Sequence, residues 1–77
     1  MRKTYAKRAA KDIKKLHNPD KQRIKIGIEK LPAGDVKKLK GCENLYRLRV
    51  GDWRIIFSYA DKDTILIEEV DSRGDIY

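Results

Sequence analysis

Leu45-Tyr46-Arg47-Leu48-Arg49-Val50-Gly51-Asp52-Trp53-Arg54-Ile55-Ile56-Phe57-Ser58-Tyr59 is the stretch that decides the fold. On both sides of Gly51-Asp52 its apolar residues recur at every second position, a period that belongs to strands. Glycine at the first central position suits a two-residue hairpin turn. With Gly51 and Asp52 as the whole loop, Val50 pairs with Trp53, Arg49 with Arg54, Leu48 with Ile55, Arg47 with Ile56 and Tyr46 with Phe57. Alternation then sorts the faces. Tyr46, Leu48, Val50, Trp53, Ile55 and Phe57 point one way, where helices would cover them, and Arg47, Arg49 and Arg54 point the other.

Towards the C-terminus, the turn Asp61-Lys62-Asp63 leads into a third β-rich run, Thr64 to Val70. Towards the N-terminus the period lengthens. Tyr5, Ala6, Ala9, Ile13 and Leu16 recur at helical spacing, with Lys7, Arg8, Lys11, Lys14 and Lys15 between them as a basic outer face. Asn18-Pro19-Asp20 reads as an N-cap followed by proline at the first helical position, opening a second helix that runs to Leu31 and is ended by Pro32 and Gly34. Ile24, Ile28 and Leu31 give this helix an inward stripe, which Gly27 weakens by about 1 kcal/mol relative to alanine. Residues 1–4 allow a short edge strand. Residues 33–44, with Gly34, Gly41 and Asn44 around Val36 and Leu39, read as a loop anchored by two apolar contacts. The expectation is an α+β domain spanning 1–77, an N-terminal helical hairpin packed on a small antiparallel meander.

A chain of 77 residues leaves room for one domain. Domains of that size bury only about 60% of their unfolded surface, so no deep cofactor cavity is expected. No segment approaches the roughly 20 apolar residues of a membrane span, and the chain reads as soluble and cytoplasmic. Cys42 and His17 are the sole cysteine and histidine, which excludes an intramolecular disulfide or a Cys/His zinc cluster; metal-free, cofactor-free chemistry is expected. His17 reads as a cation at the end of the first helix, suited to the dipole there. With 19 Lys and Arg against 12 Asp and Glu, the net charge is +7, and a polyanion, nucleic acid first, is the expected partner.

The placement of charge sharpens this. Arg49 and Arg54 directly opposite each other repel by a few tenths to about 1 kcal/mol, which a sheet selected only for stability has little reason to accept. Three guanidiniums converging without local carboxylates make a phosphate site, because each offers a planar fork of donors and keeps its charge. Arg73 and Tyr77 lie beyond the last strand, within reach of this open face, and the tyrosine ring offers a surface on which a base can stack.

Four segments together are specific: Lys7-Arg8-Ala9-Ala10-Lys11, Asp35-Val36-Lys37-Lys38-Leu39-Lys40-Gly41, Leu45 through Phe57, and Arg73-Gly74-Asp75-Ile76-Tyr77. Through them nearly the whole chain resembles the RelE branch of the RelE/ParE superfamily, the toxin halves of bacterial and archaeal toxin–antitoxin pairs. The resemblance implies a RelE-like fold and cleavage of mRNA in the ribosomal A site without a metal. It also implies inhibition by a cognate RelB-like antitoxin, with operator DNA bound only through the antitoxin complex. The implied chemistry is attack of a 2′-hydroxyl on the adjacent phosphate, leaving a 2′,3′-cyclic phosphate and a 5′-hydroxyl. Carried over by position, Arg54 and Arg73 would stabilise the phosphorane charge and Tyr77 would stack on or orient the nucleotide. Arg47 and Arg49 stand where some relatives have lysine, one of them proposed as general base. Arginine exchanges protons poorly at neutral pH, so the base is left open. Lys7, Arg8, Lys11, Lys14 and Lys15, with Lys38 and Lys40, would rest on RNA. Two alternatives stand beside this: a ParE-like inhibitor of DNA gyrase, and a non-catalytic module that binds RNA or DNA through the basic helix.

Overall fold

The computed structural model describes residues 1–41 and 43–72. Its centre is the hairpin of β3 (Tyr46–Val50) and β4 (Trp53–Asp61), which forms in the expected register at all five pairs. Gly51 has φ 59° at the turn, a left-handed conformation that glycine adopts without steric cost. β5 (Thr64–Ser72) continues the meander antiparallel to β4. The sheet extends beyond the meander on both sides. β1 (Arg2–Tyr5), the anticipated edge strand, runs parallel to β5, and β2 (Asp35–Lys38) runs antiparallel to β3, giving five strands in the order β1-β5-β4-β3-β2.

β2 corrects the reading of residues 33–44 as a loop. Four residues with one apolar side chain show no period of their own. Val36 becomes a strand residue because it lands opposite Leu48 and packs against the core.

Between β1 and β2 lie the helices α1 (Lys7–Lys14) and α2 (Asn18–Lys30). Ala9 is fully buried on α1, and Ile24, Ile28 and Leu31 form the stripe under α2. The start of α2 differs from expectation by one residue. Asn18 is already helical, and His17 takes the N-cap position without a side-chain cap bond, its carbonyl accepting from Lys21 N at 2.9 Å. His17 therefore sits at the beginning of a helix, where the dipole gives a cation no advantage, rather than at the end of one.

Gly27 has a packing role that propensity alone does not reveal. A Cβ built on it would lie 2.7 Å from Val50 Cγ2, so its absence lets α2 approach β3 closely. The core joins these helices to the inner face of the sheet. Ile24, Ile55, Phe57, Ile65 and Ile67 are completely buried, each contributing about 1.5–3 kcal/mol. Tyr46 stacks on Phe57 at 5.5 Å between centroids and meets Tyr59 edge-on at 5.3 Å.

Two side chains complete the ladder where strands stop short. β1 pairs with the first half of β5 only, and further along Asp12 Oδ2 of α1 accepts from Val70 N at 3.1 Å. At the other end of the sheet, Asn44 precedes β3 and pairs with the main chain of Tyr59, donating to its carbonyl at 3.1 Å and accepting from its N–H at 3.3 Å. These three bonds satisfy backbone groups that would otherwise lack a partner strand.

Candidate nucleic-acid interface

The sheet face turned away from the helices is organised in rows by the strand register. One row crosses β2, β3, β4 and β5 as Asp35, Arg49, Arg54 and Asp71. The next runs Lys37, Arg47, Ile56 and Glu69. All three sequence-predicted arginines of the hairpin are therefore brought together. The expectation that they lack local carboxylates is corrected, because Asp35 and Asp71 flank the row at its two ends. Asp35 was missed together with its strand; once β2 pairs with β3, the carboxylate is carried to the edge of the cluster.

The environments of the arginines differ. Arg47 has a side chain only 12% exposed, with Nη2 at 3.7 Å from Asp35 Oδ1. That contact is long and half in solvent, so it orients the guanidinium more than it stabilises the domain. Arg54 is partly buried, with Nε and Nη1 shut off from solvent. Arg49 is exposed. The partly buried Arg54 and Arg47 give the site fixed positive charge, and the exposed Arg49 gives it an adaptable fork of donors at the rim.

Beside these arginines is a shallow depression of about 310 Å³ lined by Lys37, Lys38, Leu39, Lys40, Arg47, Arg49 and Arg54. Six of these seven side chains are cationic, and such a surface attracts a phosphodiester backbone. Lys38 and Lys40 are expected site residues that the structure places here. Lys37 was not among them, for the same reason as Asp35. Arg73 and Tyr77 lie outside the described residues, as does Cys42.

On α1 and just beyond it, Lys7, Arg8, Lys11, Lys14 and Lys15 are all exposed, as the helical pattern requires. Arg8 differs from the lysines. Its Nη1 lies 3.1 Å from Glu69 Oε2 and its Nε 3.7 Å from Asp12 Oδ2, so part of its charge is already answered within the molecule. On the open face Ser58 Oγ donates to Glu68 Oε2 at 2.7 Å, next to an irregularity in the β4–β5 pairing. Burial, together with the Glu29 carboxylate, pushes the Tyr5 hydroxyl above its ordinary pKa, on the sheet edge opposite β2. No helix among the described residues is long and apolar enough to cross a membrane.

Residues 4–77 match the family model described as the ParE toxin of type II toxin–antitoxin systems, parDE. The chain belongs to this toxin family. Within it the resemblance is to RelE. The chain is 36% identical over 85 residues to Toxin RelE3 of Methanocaldococcus jannaschii, covering 100% of this chain and 96% of that protein. Two crystal structures share the fold at similar identity. The RelB–RelE antitoxin–toxin complex from Methanococcus jannaschii superposes with a TM-score of 0.78 at 36% identity, covering 96% of this chain and 94% of that one. The archaeal RelE–RelB complex from Pyrococcus horikoshii OT3 gives 0.74 at 32%, covering 96% of each. This RelE-type toxin therefore carries its arginine rows and cationic depression within the part of the chain that defines the family.

Proposed function

We propose that this RelE-type toxin inhibits translation as a ribosome-dependent endoribonuclease, cutting mRNA in the A site by metal-independent attack of a 2′-hydroxyl on the adjacent phosphate. The observation that supports it most is the depression lined by six cationic side chains, with Arg54 partly buried at its base. In this reading Arg54 and Arg73 stabilise the phosphorane charge, an effect of fixed donors that is worth about 10²–10³ in rate for each donor. Arg47 and Arg49 hold the flanking phosphates, and Tyr77 stacks on a base. Lys7, Lys11, Lys14 and Lys15, with Arg8 in a lesser role, contact ribosomal RNA, joined by Lys38 and Lys40. The ribosome supplies the alignment that so shallow a surface does not impose by itself.

A cognate RelB-like antitoxin would hold the toxin inactive in the cytoplasm, and operator DNA would be bound only through that complex. Support comes from the two relatives at 36% and 32% identity, both crystallised as RelB–RelE complexes. An acidic segment that folds on binding would match the basic surface.

The family model's ParE description favours a second reading, inhibition of DNA gyrase. The two part in one experiment. Purified toxin is added to ribosomes carrying mRNA with an empty A site, with chelator present, and in parallel to a gyrase supercoiling reaction. The expected result is discrete cleavage on the ribosome, little on free RNA, and unimpaired supercoiling. Loss of supercoiling with intact mRNA would establish the gyrase reading instead; RNA binding with neither effect would leave a non-catalytic module.

A further inference from the structure

A phosphodiester cleaved by its own 2′-hydroxyl needs more than charge stabilisation. The leaving 5′-oxygen departs as an alkoxide unless a proton reaches it, and general acid catalysis of such a step contributes about 10²–10⁴ in rate. Guanidiniums such as those of Arg47, Arg49 and Arg54 serve this poorly, because a guanidinium holds its proton far more tightly than an ammonium does. An ammonium is a far better donor and is already in the protonated state the step requires.

We infer that Lys37 is the general acid of this toxin, an inference that rests on the ribonuclease reading above. Lys37 stands directly opposite Arg47 in the β2–β3 ladder, on the same face as the arginine cluster. Opposed residues in antiparallel strands have Cα atoms about 4.5–5.5 Å apart, and Lys37 and Arg54 line one depression, so its flexible side chain lies within reach of a scissile phosphodiester held there by Arg54. It is exposed and lines the depression. The groups facing it are Asp35 on its own strand, Arg47 and Arg49 on β3 and Arg54 on β4, with Lys38 and Lys40 at the rim. Lys38 is less suited, since it pairs with Tyr46, whose ring packs on the core side of the sheet. Lys40 lies beyond the end of the strand, outside the paired register that holds Lys37 opposite Arg47.

The step balances without a co-reactant. The 2′-oxygen bonds to phosphorus and its proton passes to solvent; the P–O5′ bond breaks and the leaving oxygen takes the proton from Lys37 Nζ. Solvent then reprotonates the amine. The products are a 2′,3′-cyclic phosphate and a 5′-hydroxyl, with no change in oxidation state.

The test compares two mRNAs on programmed ribosomes, one natural and one with sulfur in place of the bridging 5′-oxygen at the cleaved position. A thiolate leaves without a proton. Lys37→Arg and Lys37→Ala are expected to cut the natural mRNA about 10²–10⁴-fold more slowly than wild type. On the sulfur substrate they should come within about tenfold of it, whereas Arg54→Ala stays slow on both. Wild-type speed of the Lys37 variants on natural mRNA would overturn the inference. So would a loss that persists on the sulfur substrate, which would make Lys37 a phosphate contact. If wild type cleaves neither mRNA, the ribonuclease reading itself falls.

Discussion

Arg49 on β3 and Arg54 on β4 face each other directly across the hairpin, in a row that Asp35 closes at one end and Asp71 at the other. The carboxylates offset part of the repulsion between the guanidiniums without entering the lining of the depression, whose charged members are all basic. This is how a small domain with a thin core carries a concentrated positive site and still folds. The basic side chains stay clustered at the depression, and part of the repulsion among them is offset at the periphery.

Arg54→Ala and Arg73→Ala should each lower ribosome-bound cleavage by about 10²–10³, the effect of removing one donor from a developing oxyanion. Toxicity on induced expression should disappear in parallel while far-UV circular dichroism stays that of wild type. Full toxicity of either variant at equal expression would remove that arginine from the site.

Tyr77→Ala should slow cleavage by at least about tenfold with little change in melting temperature, since stacking on a base contributes about 1–3 kcal/mol. Tyr77→Phe keeps the aromatic face and loses only the hydroxyl, so it separates stacking from a role for the oxygen. An unfolded Tyr77→Ala beside a normal Tyr77→Phe would mean that the ring serves the core.

Gly27→Ala should lower the melting temperature although alanine is the better helix former. The added methyl would meet Val50 Cγ2 at 2.7 Å, and overpacking of that kind costs about 1–3 kcal/mol against a propensity gain of about 1 kcal/mol. Adding Val50→Ala to the same chain should recover part of the loss, and a double-mutant cycle by thermal denaturation measures the coupling. An increase in stability from Gly27→Ala alone would disprove the close contact.

Tyr5 should make stability fall at alkaline pH. Its pKa is raised in the folded state, by burial first and by Glu29 second. The neutral phenol is thus favoured by folding, and the contribution is present in full below the unfolded pKa and is lost as pH rises through the folded one. The effect is small because Tyr5 is 43% exposed. Denaturant midpoints followed from pH 8 to pH 11 should drop less in Tyr5→Phe than in wild type; identical curves would show that Tyr5 has no such linkage.

The hairpin and its two faces were legible because they are local. Gly51-Asp52 fixes the register of residues no more than a dozen apart, and period-two alternation then assigns every side chain to a face. The inward stripes Ala9 and Ile13 on α1, and Ile24, Ile28 and Leu31 on and just beyond α2, follow equally from helical spacing. The tertiary structure alone decided what depends on distant pairing. Asp35–Lys38 has too few apolar residues to declare itself a strand and becomes one only because β3 offers an open edge and Leu48 an apolar partner for Val36. That pairing brings Asp35 and Lys37 to the arginine cluster, which no local pattern could foresee. Likewise Gly27 reads in sequence as a weakness of α2 and is, in the folded chain, the condition for its contact with Val50. Periodicity is a property of neighbouring residues and is written in the chain; the register between separate segments is set by which apolar surfaces bury one another, and it exists only once they have met.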